Sequence, residues 1–139
     1  MTAPRKLRAV MLVDDEEIDQ MLYRRVIGRS GLVEKVYGFR YAEQALEFLR
    51  DPGNEPIDVI FLDINMPCMN GFEFLQRAQV ELNQDFAKAV VVMLTTSLDP
   101  QDYQRAQSFD VIKYYVIKPL TVEHIGHVVA LVARLTAET

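Results

Sequence analysis

Three carboxylates stand at the ends of two apolar runs. Ala9-Val10-Met11-Leu12-Val13 leads into Asp14-Asp15, and Val59-Ile60-Phe61-Leu62 leads into Asp63. If a fold gathers them, each pair of negative charges repels by roughly 3 kcal/mol at ~5 Å and an effective dielectric of ~20. A divalent cation relieves that repulsion, and hard carboxylate oxygens suit Mg²⁺. Two further runs end in complementary groups. Ala89-Val90-Val91-Val92-Met93-Leu94 leads into Thr95-Thr96-Ser97, and Tyr115-Val116-Ile117 leads into Lys118-Pro119. Three acids, a hydroxyl and an ammonium are the set that an aspartate nucleophile needs to attack a phosphoryl group.

Short apolar runs must position these groups, and they alternate with amphipathic stretches. Strands are predicted at about 8–13, 33–39, 57–62, 89–94 and 112–117, and helices at about 16–29, 42–50, 71–82, 100–108 and 121–136. Runs 9–13, 57–62 (with one acid) and 89–94 are apolar nearly throughout, as in parallel strands buried on both faces. In the first helix Ile18, Leu22 and Val26 make an i, i+4, i+8 stripe, expected to face the core. Asn70 with Glu73 resembles a capping box, Asp99-Pro100 an N-cap with first-turn proline, and Thr121 a third N-cap. Asp51-Pro52-Gly53-Asn54 reads as a turn. Five strand–helix units predict an α/β fold with a doubly wound, five-stranded parallel sheet flanked by five helices. For strand order 2-1-3-4-5, ligands bind where strands 1 and 3 diverge, beyond their carboxyl ends. Asp14-Asp15 and Asp63 fall there.

The chain resembles a response-regulator receiver domain, a flavodoxin-like fold of two-component signalling. The matching stretches are Val13-Asp14-Asp15-Glu16, Asp63-Ile64-Asn65-Met66-Pro67-Cys68-Met69-Asn70-Gly71, Met93-Leu94-Thr95 and Tyr115-Val116-Ile117-Lys118-Pro119, in the family's order. The resemblance implies that Asp63 is the phosphoacceptor, supplied by a histidine kinase or histidine phosphotransfer protein. Asp14, Asp15, Asp63 and the backbone carbonyl of Asn65 would hold Mg²⁺. Lys118 would pair with Asp63 before phosphorylation and with the phosphoryl group after it. Thr95 would swing to that group, with Tyr115 following as the switch aromatic. Asn65 and Ser97 would occupy the positions that, in the family, tune phosphoryl lifetime. The Lys118-Pro119 bond is expected to be cis. The output face would comprise the helix at 100–108, the strand at 112–117 and the helix at 121–136. Unknown downstream proteins, or a second copy of the chain, would dock there. Such a domain is a signalling phosphoacceptor rather than an enzyme, although it promotes its own phosphorylation and dephosphorylation.

Taken singly, these residues have ordinary readings. Asp15 is as good a helix cap as a metal ligand, Thr95 a turn residue, Lys118-Pro119 a loop, and Tyr115 a half-buried strand aromatic. Their coincidence on one rim argues for a site. Gly71 suits tight packing at a helix start. Cys68 reads as an incidental loop residue, and His124 with His127 as surface or interface residues, two histidines being a poor metal site. Two departures from the family pattern bear on partner choice. The stretch Phe109-Asp110-Val111-Ile112-Lys113-Tyr114-Tyr115 stands where the family often has a small-residue Gly-Ala type turn, and Thr96 replaces the small residue usual after Thr95. The rivals are a relict, phosphorylation-independent interaction module, a haloacid-dehalogenase-type phosphatase and a flavodoxin. The phosphatase wants a second Asp where Asn65 stands, and the flavodoxin a Ser/Thr/Gly-rich loop where this chain has Asp-Asp-Glu-Glu.

Bulk properties bound the rest. The 139 residues, half apolar, fit one domain over 1–139, with 1–7 expected as a flexible tail and no effector domain. A net charge of −5 argues against nucleic-acid binding within this chain. One cysteine, no signal-peptide core and no membrane-length apolar run predict a cytoplasmic location and no membrane.

Overall fold

A computed structural model describes residues 6–82 and 84–137. The strands are β1 (Leu7–Val13), β2 (Val33–Phe39), β3 (Val59–Leu62), β4 (Val91–Thr95) and β5 (Ile112–Ile117). They form one parallel sheet in the order β2-β1-β3-β4-β5, as expected. Alternating side chains from the central strands build two cores. Met11, Val13, Ile60, Leu62, Val91 and Met93 pack on one face, and Val10, Leu12, Val59, Phe61, Val92 and Leu94 on the other. Burial on both faces explains why these strands read as continuous apolar runs.

Among the described residues six helices flank the sheet rather than five: α1 (Glu17–Ser30), α2 (Ala42–Arg50), α3 (Gly71–Leu82), α4 (Gln84–Ala87), α5 (Pro100–Gln107) and α6 (Val122–Ala137). The additional α4 has four residues, too few to show a helical period, and buried Phe86 anchors it. The first core takes α2, α3, α4 and α5, and the second takes α1 and α6. The capping signals hold. Asn70 and Glu73 exchange hydrogen bonds at 3.0 and 2.9 Å, Asp99 accepts from the Gln101 N–H at 2.9 Å, and Thr121 Oγ1 accepts from the His124 N–H at 3.3 Å. The acid of the third run, Asp58, lies just before β3 and accepts from the Arg8 and Ala9 N–H groups, tying that segment to β1.

Two expectations are corrected. Of the Ile18–Leu22–Val26 stripe only Val26 packs against the core. Ile18 and Leu22 are exposed, and α1 buries Gln20, Tyr23 and Ile27. Polar contacts at the helix start set this rotation. Gln20 Nε2 lies within 3.1 Å of the carbonyl oxygens of Leu12, Asp14 and Phe39, so one polar side chain satisfies buried carbonyls at the ends of β1 and β2. Residues 1–5 of the expected tail lie outside the described residues, but Leu7 belongs to β1 and is buried. The Phe109–Val111 departure is absorbed by packing. Both residues are buried, and Phe109 stacks on Phe72 with ring centroids 5.8 Å apart. On α6, Ile125, Val128 and Val129 are buried, while Val132 and Leu135 pack partly against the second core. These five apolar residues of α6 thus serve the core.

Candidate functional site

Parallel register brings the strand ends together. Val13 pairs with Leu62, and the Asp63 N–H donates to the Val13 carbonyl at 3.0 Å, so Asp14 and Asp63 leave adjacent strands side by side. Thr95 pairs with Ile117, and the Lys118 N–H donates to the Thr95 carbonyl at 2.8 Å. The Lys118–Pro119 peptide is cis, as the resemblance implies. Asp14, Asp63 and Thr95 are buried, and Asp15 is half-buried.

Carboxylate oxygens of Asp14, Asp15 and Asp63 all lie within 4.8 Å of one another. Three convergent hard-oxygen donors at this spacing fit a small divalent cation. Asp15 is free for that purpose, because it does not cap α1. Glu16 occupies the N-cap position without a side-chain cap, and its N–H donates to Asp14 Oδ1 at 2.9 Å. Asn65 is exposed two residues after Asp63.

Lys118 closes the site from β5 and pairs with Asp63 as expected, but its hydrogen bonds go to other carboxylates. Its Nζ donates to Asp14 Oδ2 at 2.8 Å and Asp19 Oδ2 at 2.7 Å, whereas Asp63 Oδ2 is 3.7 Å away, an ion-pair rather than a hydrogen-bond distance. Asp14 is 1% exposed, so its charge most needs a partner held at short range. Burial opposes the charge on Lys118, but its hydrogen bonds to Asp14 and Asp19 outweigh that and hold the ammonium well above the ordinary lysine range. Burial raises the Asp14 carboxyl. It also pushes Asp63 up to about 6, against the pull of Lys118 and with the push of Asp14.

Thr95 Oγ1 accepts from the Ser97 N–H at 3.1 Å. Ser97 Oγ in turn donates to Asp102 Oδ2 at 2.5 Å, which ties the loop to the first turn of α5. Tyr115 packs edge-on against Tyr103, centroids 5.2 Å apart, and its buried hydroxyl near Ser97 lacks a partner at hydrogen-bond geometry. Gly71 has the close approach expected of it. Its N–H donates to the Ile64 carbonyl at 2.8 Å, seating α3 against the loop after Asp63. Cys68 is exposed with φ of 69°, and His124 caps α6 while His127 is exposed. Asp19 and Gln20 are the contributors that sequence reading missed. The available signal was their place five and six residues after Asp14, where the first turn of a helix following β1 returns over the strand end.

The family described as "Response regulator receiver domain" matches residues 10–130. The chain is a response regulator receiver domain. It is 32% identical over 123 residues to the probable methanogenesis regulatory protein FilR2 of Methanothrix harundinacea, covering 86% of this chain and 77% of that one. It is 32% identical over 99 residues to the response regulator Rcp1 of Synechocystis, covering 68% and 66% respectively. A crystal structure of a two-component response regulator from Cytophaga hutchinsonii superposes with a TM-score of 0.85 at 30% identity, covering 94% of this chain and 99% of that one. Receiver domains generally bind Mg²⁺ at an acidic pocket, and this receiver carries such an aspartate cluster. They interact with histidine kinases or phosphotransfer proteins. No helix among the described residues is long and apolar enough to cross a membrane.

Proposed function

We propose that this receiver accepts a phosphoryl group on Asp63 from the phosphohistidine of a histidine kinase or histidine phosphotransfer protein. The observation that carries this reading is the convergence of Asp14, Asp15 and Asp63 within 4.8 Å, with the Lys118 ammonium 3.7 Å from Asp63 Oδ2. An Asp63 carboxylate oxygen attacks phosphorus. The O–P bond forms as the donor's P–N bond breaks, and the imidazole leaves with the electron pair. Lys118 and the Thr95 hydroxyl bind the phosphoryl oxygens. Asp14, Asp15, Asp63 and the Asn65 carbonyl would hold Mg²⁺, which when bound neutralises the charge of the incoming group. The domain is a phosphoacceptor that promotes its own phosphorylation and hydrolysis, not a turnover enzyme.

Phosphorylation then biases a two-state element. The Thr95 hydroxyl leaves the Ser97 N–H for the phosphoryl group, and Tyr115 follows. The Tyr115 ring rests edge-on against Tyr103, and no hydrogen bond of full geometry holds its hydroxyl in that place. The switched face is α5, β5 and the start of α6, where Tyr103, Ile117 and Val122 are exposed to a downstream protein or a second copy. The test is labelling with acetyl phosphate in Mg²⁺, followed by sizing before and after. Acid-labile phosphate uptake is expected, and Asp63→Asn should abolish it. Persistent labelling of that variant would move the acceptor elsewhere.

A further inference from the structure

Lys118 keeps an ion pair with the proposed acceptor but spends its hydrogen bonds elsewhere. Both its hydrogen bonds to carboxylates go to α1 and the end of β1, at 2.7 Å to Asp19 and 2.8 Å to Asp14, while Asp63 Oδ2 stands at 3.7 Å. Asp19 lies outside the three-acid cluster, and its side chain is 24% exposed. We propose that Asp19 is a positioning residue that holds Lys118 at ion-pair distance from Asp63 and competes with the phosphoryl group for its ammonium. This rests on the phosphoacceptor reading of Asp63.

The chemistry of the two anchors separates them. Asp14 Oδ1 already accepts the Glu16 N–H, and Oδ2 is the atom that Lys118 uses. A cation held by Asp14 repels the ammonium from that oxygen. Asp19 has no such second duty, so it is the anchor that persists. A charge-assisted N⁺–H···O⁻ bond of 2.7 Å belongs to the strong class. For Lys118 to close hydrogen bonds on a group at Asp63, that contact must lengthen or be shared. Asp19 therefore sets how readily the lysine is released. Neutralising it raises the energy of the resting arrangement and leaves the engaged one less affected.

The experiment is calorimetric titration of the intact chain with beryllofluoride in excess Mg²⁺, the complex standing in for a phosphoryl group on an aspartate. Asp19→Asn should bind about five- to tenfold tighter than wild type, the range expected when two contacting groups are uncoupled. Glu17→Gln removes the same charge from the same helical turn without touching Lys118, and should stay within about twofold of wild type. Asp19→Glu restores the carboxylate and should return the affinity toward wild type. Equal or weaker binding by Asp19→Asn overturns the inference. So does equal tightening by Glu17→Gln or Asp19→Glu, which would mark a general effect of charge or of perturbing the turn. If wild type itself fails to bind beryllofluoride, the phosphoacceptor reading falls and takes this inference with it.

Discussion

A Cβ on Gly71 would stand 2.4 Å from the carbonyl oxygen of Asp63. The helix that follows the acceptor loop is thus seated directly on the acceptor's own backbone. Gly71→Ala forces α3 or the end of β3 to move, and overpacking of this kind costs about 1–3 kcal/mol. Because the displaced atoms belong to Asp63, phosphate uptake should fall as well as stability. Urea unfolding paired with acetyl phosphate labelling reads both. Unchanged stability with normal labelling would contradict the close packing.

Asp63 is buried, and burial holds its carboxyl at about 6. Its folded-state value lies above the unfolded one, so its contribution to stability is fully present below the unfolded pKa and is lost as pH rises through about 6. At neutral pH its ionisation opposes folding, by about 2–3 kcal/mol for a shift of this size. Asp63→Asn should therefore be more stable than wild type in EDTA at pH 7, and the advantage should shrink in Mg²⁺. In low metal, phosphate uptake should rise with pH through about 6. Thermal melts with and without Mg²⁺ test the first statement; equal stability of the two proteins in EDTA would refute it.

Ser97 is bonded to Asp102, so its side chain points into the start of α5 rather than over Asp63. A short residue there leaves water access to an acyl phosphate open. Ser97→Lys or Ser97→Arg should slow phosphate loss by about tenfold, equivalent to about 1.4 kcal/mol on the barrier. Direct decay of labelled protein is the measurement, and the idea fails if neither variant decays more slowly.

His124 Nδ1 accepts the Thr121 N–H at 3.0 Å, an arrangement that requires an unprotonated Nδ1. Burial, with His127 nearby, lowers this imidazole below its ordinary value. Its contribution to stability is present above the unfolded pKa of about 6.5 and is lost as pH falls through the lower folded value. Asp63 acts in the opposite direction over part of this range, so the comparison belongs in the Asp63→Asn background. There, melting temperature should fall between pH 7 and 5.5, and His124→Gln should flatten that fall. Parallel pH profiles would show that the cap does not titrate.

Cys68 holds φ at 69°, in the left-handed region that L side chains pay ~1–2 kcal/mol to enter. Cys68→Asn should stabilise the fold by about 1 kcal/mol, since asparagine tolerates that region. An unchanged urea midpoint would show that the loop relaxes at no cost.

Residue order alone was enough to locate the acids, the hydroxyl and the lysine, because parallel strands buried on both faces read as apolar runs and the chemistry sits where those runs stop. Local signals carried the Asn70, Asp99 and Thr121 caps for the same reason: capping needs only neighbours in sequence. Pairing between distant side chains was a different matter. An apolar stripe on α1 pointed to Ile18 and Leu22, yet the helix is rotated to satisfy carbonyls of Leu12, Asp14 and Phe39 through Gln20. That rotation also brings Asp19 to Lys118, 99 positions away in the chain. Which carboxylate holds the lysine depends on burial and on competition among four acids. Those are properties of the packed site, and no periodicity or motif encodes them locally.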